Sequence, residues 1–190
     1  MKAVMTVAIA MMLAVGLPGH GENRLHAEAA ASAHQPYAGE QGRELKALSA
    51  EQVKQYLEGG GMGYAKSAEL NHYPGPAHVL EHADALRLSA EQRAATKRLM
   101  EEHKRAARDI GAKLVDSERA LEALFRSGKV NEGELAEAVR RAATLQGEYR
   151  LSHLETHRRL RSLLTDEQVR EYDRLRGYSA EHRPEHHKAH

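Results

Sequence analysis

Apolar and small residues recur at spacings of three, four and seven between residues 90 and 127, which places them on one face of an α-helix. At 1.5 Å per residue this predicted helix is about 57 Å long, and Gly128 is placed to end it. A second helical stripe runs from residue 132 to 163. Only about four residues separate the two stretches, so the helices must be antiparallel neighbours.

A five-residue pattern marks three helix starts: Leu-Ser-Ala-Glu-Gln at 48–52 and again at 88–92, and Leu-Thr-Asp-Glu-Gln at 164–168. In each copy the hydroxyl and the glutamine form a capping box. Asn131 begins a fourth capping box, and Pro76 suits the first turn of a helix. The predicted helices are 50–58, 76–86, 90–127, 132–163 and 166–176. The fold class is therefore all-α: a long antiparallel helical hairpin with short flanking helices.

Composition supports this fold and excludes several functions. Aromatic residues make up 4% of the chain, with no Trp and a single Phe, which suits closely packed helices better than a β-sandwich. The absence of Cys excludes disulfides, thiolate metal sites, cysteine nucleophiles and a lipid anchor on cysteine. A net charge of +1 gives no reason to expect nucleic acid as a partner.

The N-terminus predicts export. Lys2 precedes an uncharged apolar run over residues 3–17, the length of a signal peptide and short for a bilayer span. An uncleaved membrane anchor is the alternative. The predicted organisation is a signal peptide and linker at 1–33, an N-terminal extension with one short helix at 34–75, the hairpin domain at 76–177, and a disordered His-rich tail at 178–190.

Five of the 13 histidines are predicted to converge. Folding the hairpin about its turn pairs residues whose numbers sum to 128 + 131 = 259, and His103 and His157 sum to 260. His153 lies one helical turn before His157. His78 and His82 share a face of the helix that leads into this end of the hairpin.

Imidazole with carboxylate suits nickel, cobalt, copper or zinc. The predicted metal ligands are His78, His82, His103, His153, His157 and Glu102, with Glu101 as an adjacent carboxylate. The alternative is that these are ordinary polar residues of helical stripes. The tail residues His182, His186, His187 and His190 either capture metal loosely or form a solvated end.

The pair of starts at 88–92 and 164–168, on either side of a long hairpin in an exported chain, resembles the Spy/CpxP family. The segment Asn-His-Tyr-Pro-Gly-Pro-Ala-His-Val-Leu at 71–80 is similar to its heavy-metal sensor and resistance branch. The resemblance covers about residues 71–178 and implies a periplasmic, all-helical and often dimeric protein.

In the metal-sensor relatives a His-x-x-x-His pair precedes the hairpin and a His-led pair lies near its end. His78, His82, His153 and His157 match that arrangement. The relatives' carboxylate falls near Met100, so this chain departs from them at one ligand.

The resemblance leaves two functions open. One is a metal sensor or resistance protein that reports to a membrane regulatory partner. The other is an ATP-independent chaperone for unfolded clients, for which residues 87–176 offer 20 Lys plus Arg against 16 Asp plus Glu. A salt-bridged, solvated helix surface explains the same charges.

An enzyme is not expected. Residues 78–82 fit the H-x-x-E-H motif of inverted zinc proteases, but such proteases need a larger α/β scaffold. The glycine run at 59–63 lacks the strand and the Gly-Lys-Ser/Thr of a phosphate loop. A homodimer is expected, because a two-helix hairpin leaves flanking apolar positions such as Val115, Phe125 and Leu151 uncovered.

Overall fold

The computed structural model describes residues 37–179. Residues 37–42 belong to a first unit and show only turns, whereas the second unit begins at Arg43 and holds all helices of the described part. The predicted signal peptide and linker at 1–33, and residues 180–190 of the predicted tail, lie outside the described residues. None of the helices within 37–179 combines the length and apolarity that crossing a bilayer requires.

The all-α fold is confirmed, with no strand among residues 37–179. The helices, in chain order, are α1 (Ala50–Glu58), α2 (Lys66–Glu69), α3 (Pro76–Glu81), α4 (Ala90–Arg126), α5 (Glu132–Arg161) and α6 (Asp166–Leu175). α4 and α5 pack along each other as the predicted hairpin. Between them, Gly128 adopts a φ of +66°, a conformation that glycine reaches without a Cβ penalty.

Two short elements differ from the sequence prediction. The helix predicted over 76–86 ends at Glu81 and continues as turns to Arg87, whose φ is +51°. The chain reverses there so that the N–H of Leu88 donates to the carbonyl of Ala83. α2 was not predicted, because no side chain caps its start.

Capping chemistry sets the helix starts. Ser49, Ser89 and Thr165 each accept a hydrogen bond from the backbone three residues on, and the glutamine there accepts one from the cap's own N–H. At α5, Asn131 accepts from the N–H of Glu134 at 2.9 Å, so the predicted fourth capping box has this half of the pattern.

The second and third copies of the capping pattern also bind each other. Gln92 Nε2 donates to Gln168 Oε1 at 2.9 Å, and Gln168 Nε2 donates to Gln92 Oε1 at 3.0 Å. The same amides reach the carbonyls of Leu163 and Leu86. This glutamine clasp joins the start of α4 to the start of α6 and closes the open end of the hairpin.

Buried apolar residues form two separate clusters along the hairpin. The open-end cluster contains Val79, Ala83, Leu86, Leu88, Leu99, Leu160, Leu164, Val169 and Tyr172. The turn-end cluster contains Leu45, Tyr56, Ala107, Leu114, Val115, Leu145 and Tyr149. Residues 45–58 thus pack against the half of the hairpin nearer its turn, and α3 and α6 against the other half.

Candidate metal centre

His103 on α4 and His153 on α5 lie between the two apolar clusters. Leu99 of the open-end cluster is one turn before His103, and Ala107 of the turn-end cluster is one turn after it. The two imidazole rings meet edge to face, with centroids 4.4 Å apart and planes at 83°. The register of the hairpin therefore places a pair of imidazoles between the two apolar clusters of the helix interface.

His153 presents a buried nitrogen that has no hydrogen-bond partner. His153 is only 4% exposed, and its Nδ1 lies 3.0 Å from the carbonyl oxygen of Tyr149. Because a carbonyl can only accept, Nδ1 carries the proton and Nε2 carries the free lone pair. Nε2 is buried and forms no hydrogen bond of normal geometry, as is true of Nδ1 of His103, and the backbone of Gly59 and Gly60 lies close to the His153 ring.

His157 is oriented in the same way. Its Nδ1 donates to the carbonyl oxygen of Tyr73 at 2.7 Å, and Oε2 of Glu69 lies 3.6 Å from that nitrogen. Gly75 approaches the other side of the ring: a Cβ there would stand 3.0 Å from Cε1 and 3.3 Å from Nε2 of His157. The backbone of Gly75 is ordinary extended chain, so the missing side chain is what leaves room beside Nε2.

Burial keeps the paired imidazoles neutral at pH 7. It lowers the pKa of His103 to about 4, with the neighbouring His153 and His157 adding to the effect. Burial also lowers the pKa of His153. A neutral imidazole keeps the lone pair that a metal ion requires, so no proton has to leave these rings near neutral pH.

A cleft of about 480 Å³ opens above this pair. His78, His103, His153 and His157 all line it. The glycine run after α1 forms one wall, where Tyr149 donates from its hydroxyl to the carbonyl of Gly60 at 2.7 Å. The cleft thus gathers four of the five predicted histidines from α3, α4 and α5.

The charges around the cleft are mostly positive. Lys66, Lys104 and Arg176 line it, together with the single carboxylate of Glu69. Glu69 is already engaged, because Tyr172 donates to its Oε1 and the guanidinium of Arg176 lies 3.8 Å away. These contacts hold α2 to the end of α6.

The other two predicted ligands lie elsewhere. His82 follows the last turn of α3 and is not one of the residues that line the cleft. Glu102 forms an ion pair with Arg159 at 3.1 Å on the outside of the hairpin. His78, although it lines the cleft, places its Nδ1 3.1 Å from Glu81. Within residues 37–179, no three His, Asp or Glu side chains are already arranged around one point as a finished metal site.

Two features of the cleft were missed by the sequence analysis. Glu69 is the carboxylate nearest His157, yet it belongs to a helix that was not predicted. The glycine run at 59–63 lacks the sequence of a phosphate loop. Its density of glycine was nonetheless the available signal that backbone comes close to another element there.

Comparison with protein-family models, with curated proteins and with solved structures finds no match for this chain.

Proposed function

We propose that this chain is a periplasmic metal-binding protein of an envelope metal or stress response, holding a transition metal ion through His103, His153 and His157. The observation that carries the proposal is the pair of buried, unpartnered imidazole nitrogens, Nε2 of His153 and Nδ1 of His103, at one cleft. Buried polar atoms nearly always have partners, so two orphans in contacting rings call for an explanation.

The orientation of the rings supports the same function. His153 and His157 each donate Nδ1–H to a backbone carbonyl, which is the usual support for a histidine that ligates through Nε2. Imidazole donors suit zinc, copper, nickel and cobalt, whereas calcium and magnesium take oxygen ligands. His78 is available as a fourth imidazole once it leaves Glu81.

The predicted signal peptide and the Spy/CpxP-like capping pairs support a place in the periplasm and a membrane regulatory partner. A fusion of residues 1–40 to a reporter active only outside the cytoplasm tests the location. A silent reporter would contradict it.

Titration calorimetry with nickel, cobalt, copper and zinc tests metal binding. The background protein carries Asn at the four tail histidines, so that the tail does not contribute to the titration. His153→Phe and His157→Phe should each abolish binding, whereas His82→Asn, outside the cleft, should leave the affinity within about twofold, since no ligand is lost. A Kd weaker than about 10 μM for all four metals would defeat the proposal. That limit corresponds to about 7 kcal/mol of binding free energy. Unchanged binding in His153→Phe would defeat it as well.

A chaperone remains the second candidate, favoured by exposed apolar side chains beside basic ones. Leu151 is 63% exposed and Phe125 is 59% exposed. Several basic residues of the hairpin are neutralised in ion pairs, however: Arg158 with Glu155, and Arg159 with Glu102. Protection of a denatured client without ATP or metal, unchanged in His153→Phe and lost in Leu151→Asp, would support the chaperone.

A further inference from the structure

Two methionines line the histidine cleft. Met100 lies on α4 three residues before His103, which puts both on adjoining positions of one helix face. Met62 lies in the glycine run after α1 and is 37% exposed. The cleft therefore carries two thioethers beside its imidazoles, and the described chain has no other methionine.

The backbone of Met62 is strained. Its φ is +45°, a conformation that a residue with a Cβ adopts reluctantly, although the residues on both sides are glycines. A glycine at 62 would satisfy the turn without strain. Strained residues cluster at ligand sites. The strain at Met62 therefore points to a role for its side chain.

The charge of the cleft bears on the ion it accepts. Lys66, Lys104 and Arg176 face a single carboxylate, Glu69, whose charge is shared with Arg176. Coulomb repulsion is proportional to the charge of the ion, so a divalent cation meets twice the opposition that a monovalent one meets. The surroundings thus disfavour divalent ions relative to monovalent ions.

We propose that this cleft is selective for a soft monovalent ion, copper(I), bound in two- to four-coordinate geometry by imidazoles from His103, His153 and His157 together with thioether sulfur from Met62 and Met100. Soft thioether ligands favour copper(I), whereas imidazole suits zinc, nickel and copper alike, so the thioethers are what distinguishes this cleft from a site of imidazoles only. The inference rests on the proposed metal-binding function and specifies which ion the site takes.

Anaerobic titration of the full chain with copper(I), in competition with a chromogenic copper(I) chelator, measures the affinity, and a zinc titration runs in parallel. The variants are Met62→Leu, Met100→Leu and both together, in the background with Asn at the tail histidines. Loss of a residue that only supports a metal ligand typically lowers affinity by about 10- to 100-fold. Loss of a direct ligand should lower copper(I) affinity by at least as much. Zinc affinity should change by less than about twofold, since no zinc ligand is removed.

Met62→Gly separates the sulfur from the backbone. It removes the thioether and also relieves the backbone strain, because glycine adopts a positive φ at no steric cost. The fold should therefore be retained while copper(I) affinity falls as in Met62→Leu. X-ray absorption at the copper edge gives an independent readout. Sulfur scattering should be present in the background protein and absent in the double variant.

The outcomes separate this inference from the proposed function. Copper(I) binding that the methionine variants do not weaken, or a copper spectrum without sulfur, overturns the selectivity proposal. Zinc binding tighter than copper(I) binding also overturns it. In each of those cases a His153-dependent metal site still stands. Failure to bind either ion, or binding unchanged in His153→Phe, overturns both.

Discussion

Gly111 lies where the end of α1 crosses α4. A Cβ at this position would stand 2.0 Å from the carbonyl oxygen of Tyr56 and 3.2 Å from the ring of Tyr149. The obstacle is backbone, which cannot rotate away as a side chain would. The glycine therefore allows residues 45–58 to rest directly on the hairpin, although glycine in a helix interior lowers stability.

Gly111→Ala should therefore lower the free energy of unfolding by about 1–3 kcal/mol, because the added methyl separates α1 from α4. Gly147→Ala is the matched control, since its Cβ meets nothing within 4 Å on α5. That variant should raise the free energy of unfolding by about 0.5–1 kcal/mol through helix propensity alone. Urea unfolding followed by circular dichroism measures both, and a gain in both variants would contradict the close contact.

The buried histidines make stability depend on pH. The pKa of His103 is about 4 in the folded chain, against about 6.5 when unfolded. Between these values the unfolded chain binds a proton that the folded chain does not, so stability falls as the pH drops from about 6.5 towards 4. The contribution of neutral His103 to the free energy of unfolding is fully present above about pH 6.5 and is lost as the pH falls to about 4. It amounts to on the order of 3 kcal/mol.

His103→Gln should flatten this dependence in metal-free protein, with urea unfolding at pH 7.5 and pH 5 as the measurement. His82→Gln, which changes a histidine outside the cleft, should leave the dependence as it is in the unsubstituted protein. Parallel loss of stability in the unsubstituted chain and in His103→Gln would show that other groups cause the effect.

The sequence predicted the position along the hairpin at which the histidines lie, but it did not predict the full set of metal ligands. Summing residue numbers across a turn gives the position of a residue along the hairpin. His103 and His153 are in contact, and His157 lines the same cleft. The sum does not give the direction around the helix. Glu102, one residue before His103, is turned by about 100° and points outward to Arg159.

At the scale of elements, the three capping patterns have different surroundings. Gln52 closes a capping box on Ser49, and Gln92 and Gln168 close theirs while also bonding to each other. The capping role was predictable from the sequence, because it depends on residues three apart. The clasp was not, because it depends on how α4 and α6 approach each other.

Gln92→Ala and Gln168→Ala should each lower the free energy of unfolding by about 1–3 kcal/mol, because part-buried amide and carbonyl groups lose their partners. In a double-mutant cycle the pair should show a coupling energy of about 1 kcal/mol. Gln52→Ala removes only the bond within its own box and should cost about 0.5–1 kcal/mol. Strictly additive effects of the Gln92 and Gln168 substitutions would contradict the clasp.

At the scale of the whole molecule, the hairpin is covered from both sides of the chain. α3 and α6 complete the open-end cluster, and residues 45–58 complete the turn-end cluster. The expectation that Val115 would remain uncovered is wrong: it is 0% exposed, within the cluster that contains Leu45 and Tyr56. The sequence revealed that residues 45–58 contain a helix, but no periodicity could show which part of the hairpin that helix would meet.

Phe125 and Leu151 remain exposed, and they are where we expect the homodimer to form. Leu151 is 63% exposed and Phe125 is 59% exposed, on different helices of the hairpin. Light scattering at micromolar concentration should give the mass of two chains, because a two-fold partner is the commonest means of burying such positions. Leu151→Asp or Phe125→Asp should shift the mass to one chain, since each places a charge in the contact. Leu57→Asp, at an exposed position on α1, should leave the dimer intact. A mass of one chain for the unsubstituted protein would show instead that residues 45–58, with α3 and α6, bury enough of the hairpin for it to exist alone.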